Sequence, residues 1–261
     1  MTQAEEQQLL AVALEAARAA SSELQSRYGR RRSGVRVKSG PTDLVSDADI
    51  AAESAIRSVL AARRPDDAIL GEEGGETGDG SLRWVVDPLD GTINYLYEIP
   101  AFAVSVAVED ADGTIAGVVI DPVREEVFAA SRSGAPTLNR EPLPRRPNPP
   151  DSLGVAMVAT GFGYDRQVRT GQAEVVARLL PRVRDIRRVG AAALDLTWSA
   201  VGRFDAFYER GLHAWDLAAG ALVAERSGLV VRELPEADGQ PWGVMTAPAN
   251  IVDELYELIV G

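Results

Sequence analysis

The chain has 261 residues, 46% hydrophobic and 25% charged, an ordinary globular composition with room for one large domain or two smaller ones. Against 27 Lys and Arg it carries 39 Asp and Glu, a net charge of −12 that repels nucleic-acid backbones and anionic membranes. It has no cysteine and one histidine, His213, which excludes disulfides and Cys/His zinc sites and leaves almost no room for Cys–His or Ser–His catalysis.

Any metal must therefore be held mainly by carboxylates and carbonyls, the donors of Mg2+, Mn2+ or Ca2+. No apolar run approaches the length of a membrane span. Glu5 and Glu6 stand where a secretory signal would be basic. The expected location is the cytoplasm, with neither membrane nor nucleic acid as a partner.

Along the chain, Leu9, Ala13, Ala16, Ala17, Ala20, Leu24 and Tyr28 recur at steps of three and four and predict a helix over 3–28. A second helix is expected from about Ser46 to Arg64, ended by Pro65-Asp66-Asp67. Strands follow at about 68–71, 83–87, 101–109, 114–120 and 125–130, the last four as an antiparallel meander. Five prolines between Glu141 and Asp151 mark the expected boundary between an N-terminal α+β subdomain, 1–145, and a C-terminal α/β subdomain, 151–261. In the second part strands near 153–159, 185–189, 205–209, 229–232 and 243–247 alternate with helices at 166–180, 191–200, 215–227 and 250–260, a layered α/β pattern.

The most informative stretch is Trp84-Val85-Val86-Asp87-Pro88-Leu89-Asp90-Gly91-Thr92-Ile93-Asn94-Tyr95. An apolar run ends in two carboxylates, and strand ends of open α/β sheets are where ligands bind. The Gly91 and Thr92 amides that follow suit an anion. Three more segments place acids at element boundaries: Asp43 to Asp49, Gly71-Glu72-Glu73-Gly74-Gly75, and Trp215-Asp216-Leu217-Ala218-Ala219-Gly220. Taken singly, each reads as local structure: Ser46 and Asp49 as a capping box, Glu72-Glu73 as a solvated turn, Asp90-Gly91 as a turn, and Asp216 as a helix first-turn acid. Trp84 and Trp215 read as core. Brought together, Asp49, Glu72, Asp87, Asp90 and Asp216 would repel one another unless cations joined them. A shared carboxylate such as Asp87 is what two-metal phosphoryl chemistry requires.

Gly71-Glu72-Glu73, Asp87-Pro88-Leu89-Asp90-Gly91-Thr92-Ile93-Asn94 and Trp215-Asp216-Leu217-Ala218-Ala219-Gly220 together resemble the three signatures of the inositol monophosphatase family. Lys38-Ser39, Pro41-Thr42-Asp43, the run from Arg188 to Asp195, and Glu209-Arg210-Gly211 resemble it too. The likeness spans roughly residue 10 to the C-terminus. It implies an αβαβα sandwich, often dimeric, and Mg2+-dependent hydrolysis of a small phosphate monoester, with two or three ions per site and Mn2+ as a substitute. By resemblance, Glu72, Asp87 and the Leu89 carbonyl hold one ion, and Asp87, Asp90 and Asp216 a second; Glu72 helps hold a weaker third. Thr92 and Asp49 orient and deprotonate the attacking water, and the Gly91 and Thr92 amides bind phosphate. Asp90, Glu209, Asp216 and the backbone from Gly190 to Ala192 face the substrate. Lys38 matches a lysine near the metal loop. His213 is left out of the catalytic set.

The chain departs from the family pattern at Ala191, where Ser or Thr is usual, at Tyr95, where Phe is usual, and in Thr160-Gly161-Phe162-Gly163-Tyr164, which aligns with no substrate ligand. The expected substrate is inositol 1-phosphate. Histidinol phosphate, fructose 1,6-bisphosphate and a 3′-phosphoadenosine nucleotide are alternatives, the last two disfavoured because Glu209 repels a second phosphate. A non-catalytic regulatory binding protein on the same scaffold is the alternative of a different class.

Overall fold

Helix α1 (Gln3–Arg27) starts at a reciprocal Thr2–Glu5 capping box and buries Leu9, Ala13, Ala16, Ala17, Ala20 and Leu24 along one stripe. Four of these six are alanines, so the helix lies close to whatever it covers. The structure, a computed structural model, describes residues 1–29, 35–37, 44–144, 149–237 and 239–261. Lys38 and Asp43 lie outside the described residues.

A short ribbon, β1 (Arg36–Val37) with β2 (Leu44–Val45), leads to α2 (Asp47–Arg63). Then come β3 (Ala68–Gly71), β4 (Gly75–Thr77), β5 (Arg83–Asp90), the one-turn helix α3 (Thr92–Leu96), β6 (Ala103–Asp110), β7 (Gly113–Asp121), β8 (Glu126–Ser131), β9 (Thr137–Leu138) and β10 (Glu141–Pro142). These strands make an eight-stranded sheet in the order β10-β9-β8-β7-β6-β5-β3-β4. The expected meander is present as β5 to β8, antiparallel throughout; β3 runs parallel to β5. β4 was not expected: Glu72 to Gly74 form the tight turn of a β3–β4 hairpin.

The second sheet holds β11 (Met157–Thr160), β12 (Asp185–Arg187), β13 (Ala206–Arg210), β14 (Val230–Leu234) and β15 (Gly243–Ala247), in the order β12-β11-β13-β15-β14. Between them lie α4 (Arg166–Leu179), α5 (Ala192–Ala200) and α6 (Ala214–Arg226), with α7 (Val252–Val260) at the end. The proline-rich stretch falls in the chain between the two sheets, and its residues 145–148 lie outside the described residues.

Three buried clusters define the layers. Helices α1 and α2 cover one face of the large sheet through Leu24, Ile56, Leu60, Trp84, Phe102 and Val106. Its other face packs on α5 and α6, which also cover the small sheet through Phe128, Leu196, Val223, Phe207 and Val244. Helices α4 and α7 close the small sheet from outside through Val175, Leu179, Tyr208, Met245, Leu255 and Ile259. The result is the expected αβαβα sandwich. Among the described residues no helix is long and apolar enough to cross a membrane.

Candidate active site

Strand β5 is buried from Trp84 to Asp90 and slips its register against β6 between Asp87 and Asp90. Pro88, with no N–H to give the ladder, sits in that slip. The irregularity lets Asp87 fold back, so that its Oδ1 accepts the Leu89 N–H at 2.9 Å. The chain then turns at Gly91, whose φ of 90° only glycine adopts freely. A Cβ there would stand 3.1 Å from the Ala101 carbonyl and 3.2 Å from Ala191 Cβ. Helix α3 starts at Thr92 and is pinned by Tyr95, whose hydroxyl donates to the Leu24 carbonyl at 3.0 Å. The Tyr95 departure thus ties the site to the end of α1.

Thr92 Oγ1 lies 3.0 Å from Asp49 Oδ1 and 3.1 Å from the Leu89 carbonyl. The other Asp49 oxygen accepts from Ser46 N at 2.8 Å and Ser46 Oγ at 2.6 Å, closing the capping box of α2. The capping and site readings of Asp49 therefore both hold, one for each oxygen. Asp49 is fully buried behind Thr92. Burial raises its carboxyl above the usual range, while the bonds from Ser46 and Thr92 pull it back.

Asp90 caps a helix that cannot cap itself. Ala191, at the N-cap of α5, has no side-chain oxygen, and the Asp90 carboxylate accepts from Ala192 N at 3.2 Å and Ala193 N at 2.7 Å. Asp216, in the first turn of α6, accepts the His213 backbone N–H at 2.7 Å. His213 stacks on Trp215, centroids 4.8 Å apart. Trp215 is half-buried and lines the site, so it is not the core residue expected; Trp84 is fully buried as expected.

These elements open onto one cleft of about 750 Å3. Glu72, Asp87, Leu89, Asp90, Gly91, Thr92, Gly190, Ala192, Glu209 and Asp216 all line it, and Asp49 stands behind them. Every site residue expected from the sequence is thus in one place. The Ala192 amide, however, is already given to Asp90. Gly190, at φ 94°, sits under Arg188, whose guanidinium also faces Glu209 and Asp195.

The acids raise one another. Burial and then Glu72 push Asp87 well above the ordinary range. Burial and then Asp216 push Asp90 up to about 8. Asp216 rises to about 6 and Glu209 to about 8, each mainly through burial. Among the described residues no three such groups stand as an assembled metal cage. The donors fit a hard divalent cation: oxygen atoms only, buried, mutually repelling, and served by few neighbouring positive charges.

Two further buried acids near the site have no role expected from the sequence. Asp195, on α5, is fully buried with neither oxygen bonded, and burial followed by the Glu209 and Asp90 charges raises it well above the usual range. One acid inside the apolar run Ala192 to Ala200 was a usable signal. Glu53, one turn beyond Asp49, bonds to the Glu73 and Gly74 amides; its spacing from Asp49 was the signal there.

Fold and cleft together define a phosphatase, a hydrolase of phosphate esters. The chain belongs to the inositol monophosphatase family, whose model matches residues 5–257. The inositol-1-monophosphatase SuhB of Mycobacterium tuberculosis is 44% identical over 239 residues, 88% of this chain and 82% of that one. The Nus factor SuhB of Haemophilus influenzae is 34% identical over 256 residues, 96% of this chain and 95% of that one. The crystal structure of the extragenic suppressor protein suhB from Bartonella henselae superposes with a TM-score of 0.88 at 34% identity, covering 96% of this chain and 98% of that one.

Proposed function

We propose that the protein hydrolyses inositol 1-phosphate to inositol and phosphate, using Mg2+ held by Glu72, Asp87, the Leu89 carbonyl, Asp90 and Asp216. The observation that carries this reading is the 3.0 Å bond between Thr92 Oγ1 and Asp49 at the edge of the carboxylate cleft. A buried carboxylate aimed at a hydroxyl beside clustered metal-type donors has little use in a passive binding site. The name inositol-1-monophosphatase, borne by relatives at 44% identity, supports the same substrate.

Uncatalysed phosphate monoester hydrolysis is slow enough to demand on the order of 20 kcal/mol of barrier lowering. Bound divalent ions would supply an acidified water and charge to stabilise the departing alkoxide. The chain's own residues do the rest. Thr92 has one hydroxyl proton and two nearby acceptors, Asp49 and the Leu89 carbonyl. The Asp49 carboxylate is the stronger acceptor of the two, so the Thr92 proton goes to Asp49. The Thr92 lone pairs are then free to accept from the attacking water, so the water proton passes to Thr92 as the Thr92 proton passes to Asp49. The Gly91 and Thr92 N–H groups open α3 and lack helical partners, which suits them to phosphate oxygens. Glu209 faces the cleft from β13 and suits a polyol hydroxyl better than a second phosphate.

The test is a panel of inositol 1-phosphate, histidinol phosphate and fructose 1,6-bisphosphate, with and without Mg2+. Preferred turnover of inositol 1-phosphate, dependent on Mg2+, is expected. Preference for histidinol phosphate would overturn the substrate alone; no turnover of any ester would overturn catalysis.

A further inference from the structure

The hairpin turn that carries Glu72 is held from α2 as well as by its own strands. Glu53, 3% exposed, reaches into it from α2: Oε2 accepts the Glu73 N–H at 2.8 Å and Oε1 the Gly74 N–H at 2.9 Å. Arg57, the next turn of the helix, donates from Nε to Glu53 Oε1 at 2.7 Å, from Nη2 to the Gly75 carbonyl at 2.7 Å and from Nη1 to Thr77 Oγ1 at 3.0 Å. Four hydrogen bonds thus clamp the turn from Glu73 to Thr77 onto α2, and the fifth, from Arg57 to Glu53, ties the two clamping side chains together. The fit is close: a Cβ at Gly71 or Gly74 would come within 2.5 Å of Glu53 Oε1.

The same helix carries Asp49 at its first turn. Asp49 and Glu53 are four residues apart, hence on one face and one turn apart. Asp49 fixes the Thr92 hydroxyl after β5, and Glu53 fixes the Glu72 turn after β3. We infer that Glu53 and Arg57 are positioning residues of the metal site: through a rigid turn of α2 they set where Glu72 stands relative to the Thr92–Asp49 pair. The inference rests on the proposed metal-dependent function. Neither residue lines the cleft, so neither touches substrate or ion. Their work is that of outer-sphere groups, whose loss typically costs 10–100-fold in metal affinity.

The experiment titrates Mg2+ into full-length protein by calorimetry, with Mn2+ bound and followed by electron paramagnetic resonance as a second probe, for wild type, Glu53→Gln, Arg57→Gln and the control Arg63→Gln. Arg63 is on the same helix but pairs with Glu15. Amide exchange of the Glu73–Gly74 turn and the kcat at saturating Mg2+ are read alongside. Arg57→Gln alters a side chain already 24% exposed and carries the test should the buried Glu53 variant fail to fold. Expected for both brace variants are metal affinity 10-fold or more weaker, faster exchange at Glu73 and Gly74, and kcat at saturating Mg2+ within about threefold of wild type, with Arg63→Gln unchanged. Metal affinity within twofold of wild type in the brace variants overturns the inference alone. Wild type that binds no divalent ion overturns the proposed function beneath it.

Discussion

Replacing Asp90 with asparagine should make the protein more stable at neutral pH when divalent ions are chelated, and inactive when they are supplied. Burial, and then the Asp216 charge, raise the Asp90 carboxyl from 3.8 to about 8 in the folded chain. A group whose folded pKa is raised contributes its full stability below the unfolded pKa and loses it as pH climbs toward the folded one. Asp90 therefore costs about 1.4 kcal/mol per pH unit between pH 4 and pH 8, or about 4 kcal/mol by pH 7. Asparagine carries no charge and abolishes that slope. It also turns an N–H2 toward one of the Ala192 and Ala193 amides that Asp90 accepts, a loss of about 1–3 kcal/mol. The net gain at pH 7 is about 1–3 kcal/mol, and at pH 4, where the charge term is gone, the variant is the weaker protein. Thermal unfolding in chelator at pH 4 and pH 7 reads this as a crossing of the two proteins' midpoints, about 2–4 °C per kcal/mol for a chain near this size. Other acids of the cleft add to the wild-type slope, so the difference between the proteins isolates Asp90. With Mg2+ added, wild type should gain stability and the variant little. A variant less stable than wild type at pH 7 in chelator, or sharing its pH slope, would refute the argument from buried like charge.

The sequence carried more of the fold than of the site's internal wiring. Helix α1 was legible because one face is buried and the other is not, which writes a period into residue choice; strands β5 to β8, covered on both faces, were legible as nearly continuous apolar runs bounded by turn residues. Strand β4 was not: Gly75, Glu76 and Thr77 are all exposed and leave no period to read. Helix α3 is one turn long, too short for any periodicity, and hid behind the aspartates before it. The site residues were legible because carboxylates at the ends of apolar runs are rare and costly. What stayed hidden is how they are shared. Asp90 serves as the cap of α5, about 100 residues away in the chain, and only the missing hydroxyl at Ala191 hinted that a cap must come from elsewhere. Glu53 stays hidden as well, because whether a polar residue on an amphipathic helix faces solvent or a neighbouring turn is settled by tertiary packing.

Three further outcomes test the site piece by piece. Thr92→Val removes the hydroxyl while keeping its shape; kcat should fall about 100-fold or more with metal affinity nearly unchanged, and a large loss of metal binding in the titration would mean that Thr92 serves the ion instead. Gly91→Ala forces a side chain into φ 90° and against the Ala101 carbonyl; a loss of about 1–3 kcal/mol by urea denaturation is expected, with activity lost beside it. Glu209→Gln addresses the leaving alcohol. Glu209 sits in β13 and carries a carboxyl that burial, Asp216 and Asp90 raise to about 8. If it reads polyol hydroxyls, the variant should lose about 10-fold or more in kcat/KM on inositol 1-phosphate and little on p-nitrophenyl phosphate, whose leaving group offers no hydroxyl to read. An equal loss on both esters would place Glu209 with the reaction's charge balance rather than with substrate choice, and the preference for inositol would then have to be sought in the Gly190 turn and Arg188 above it.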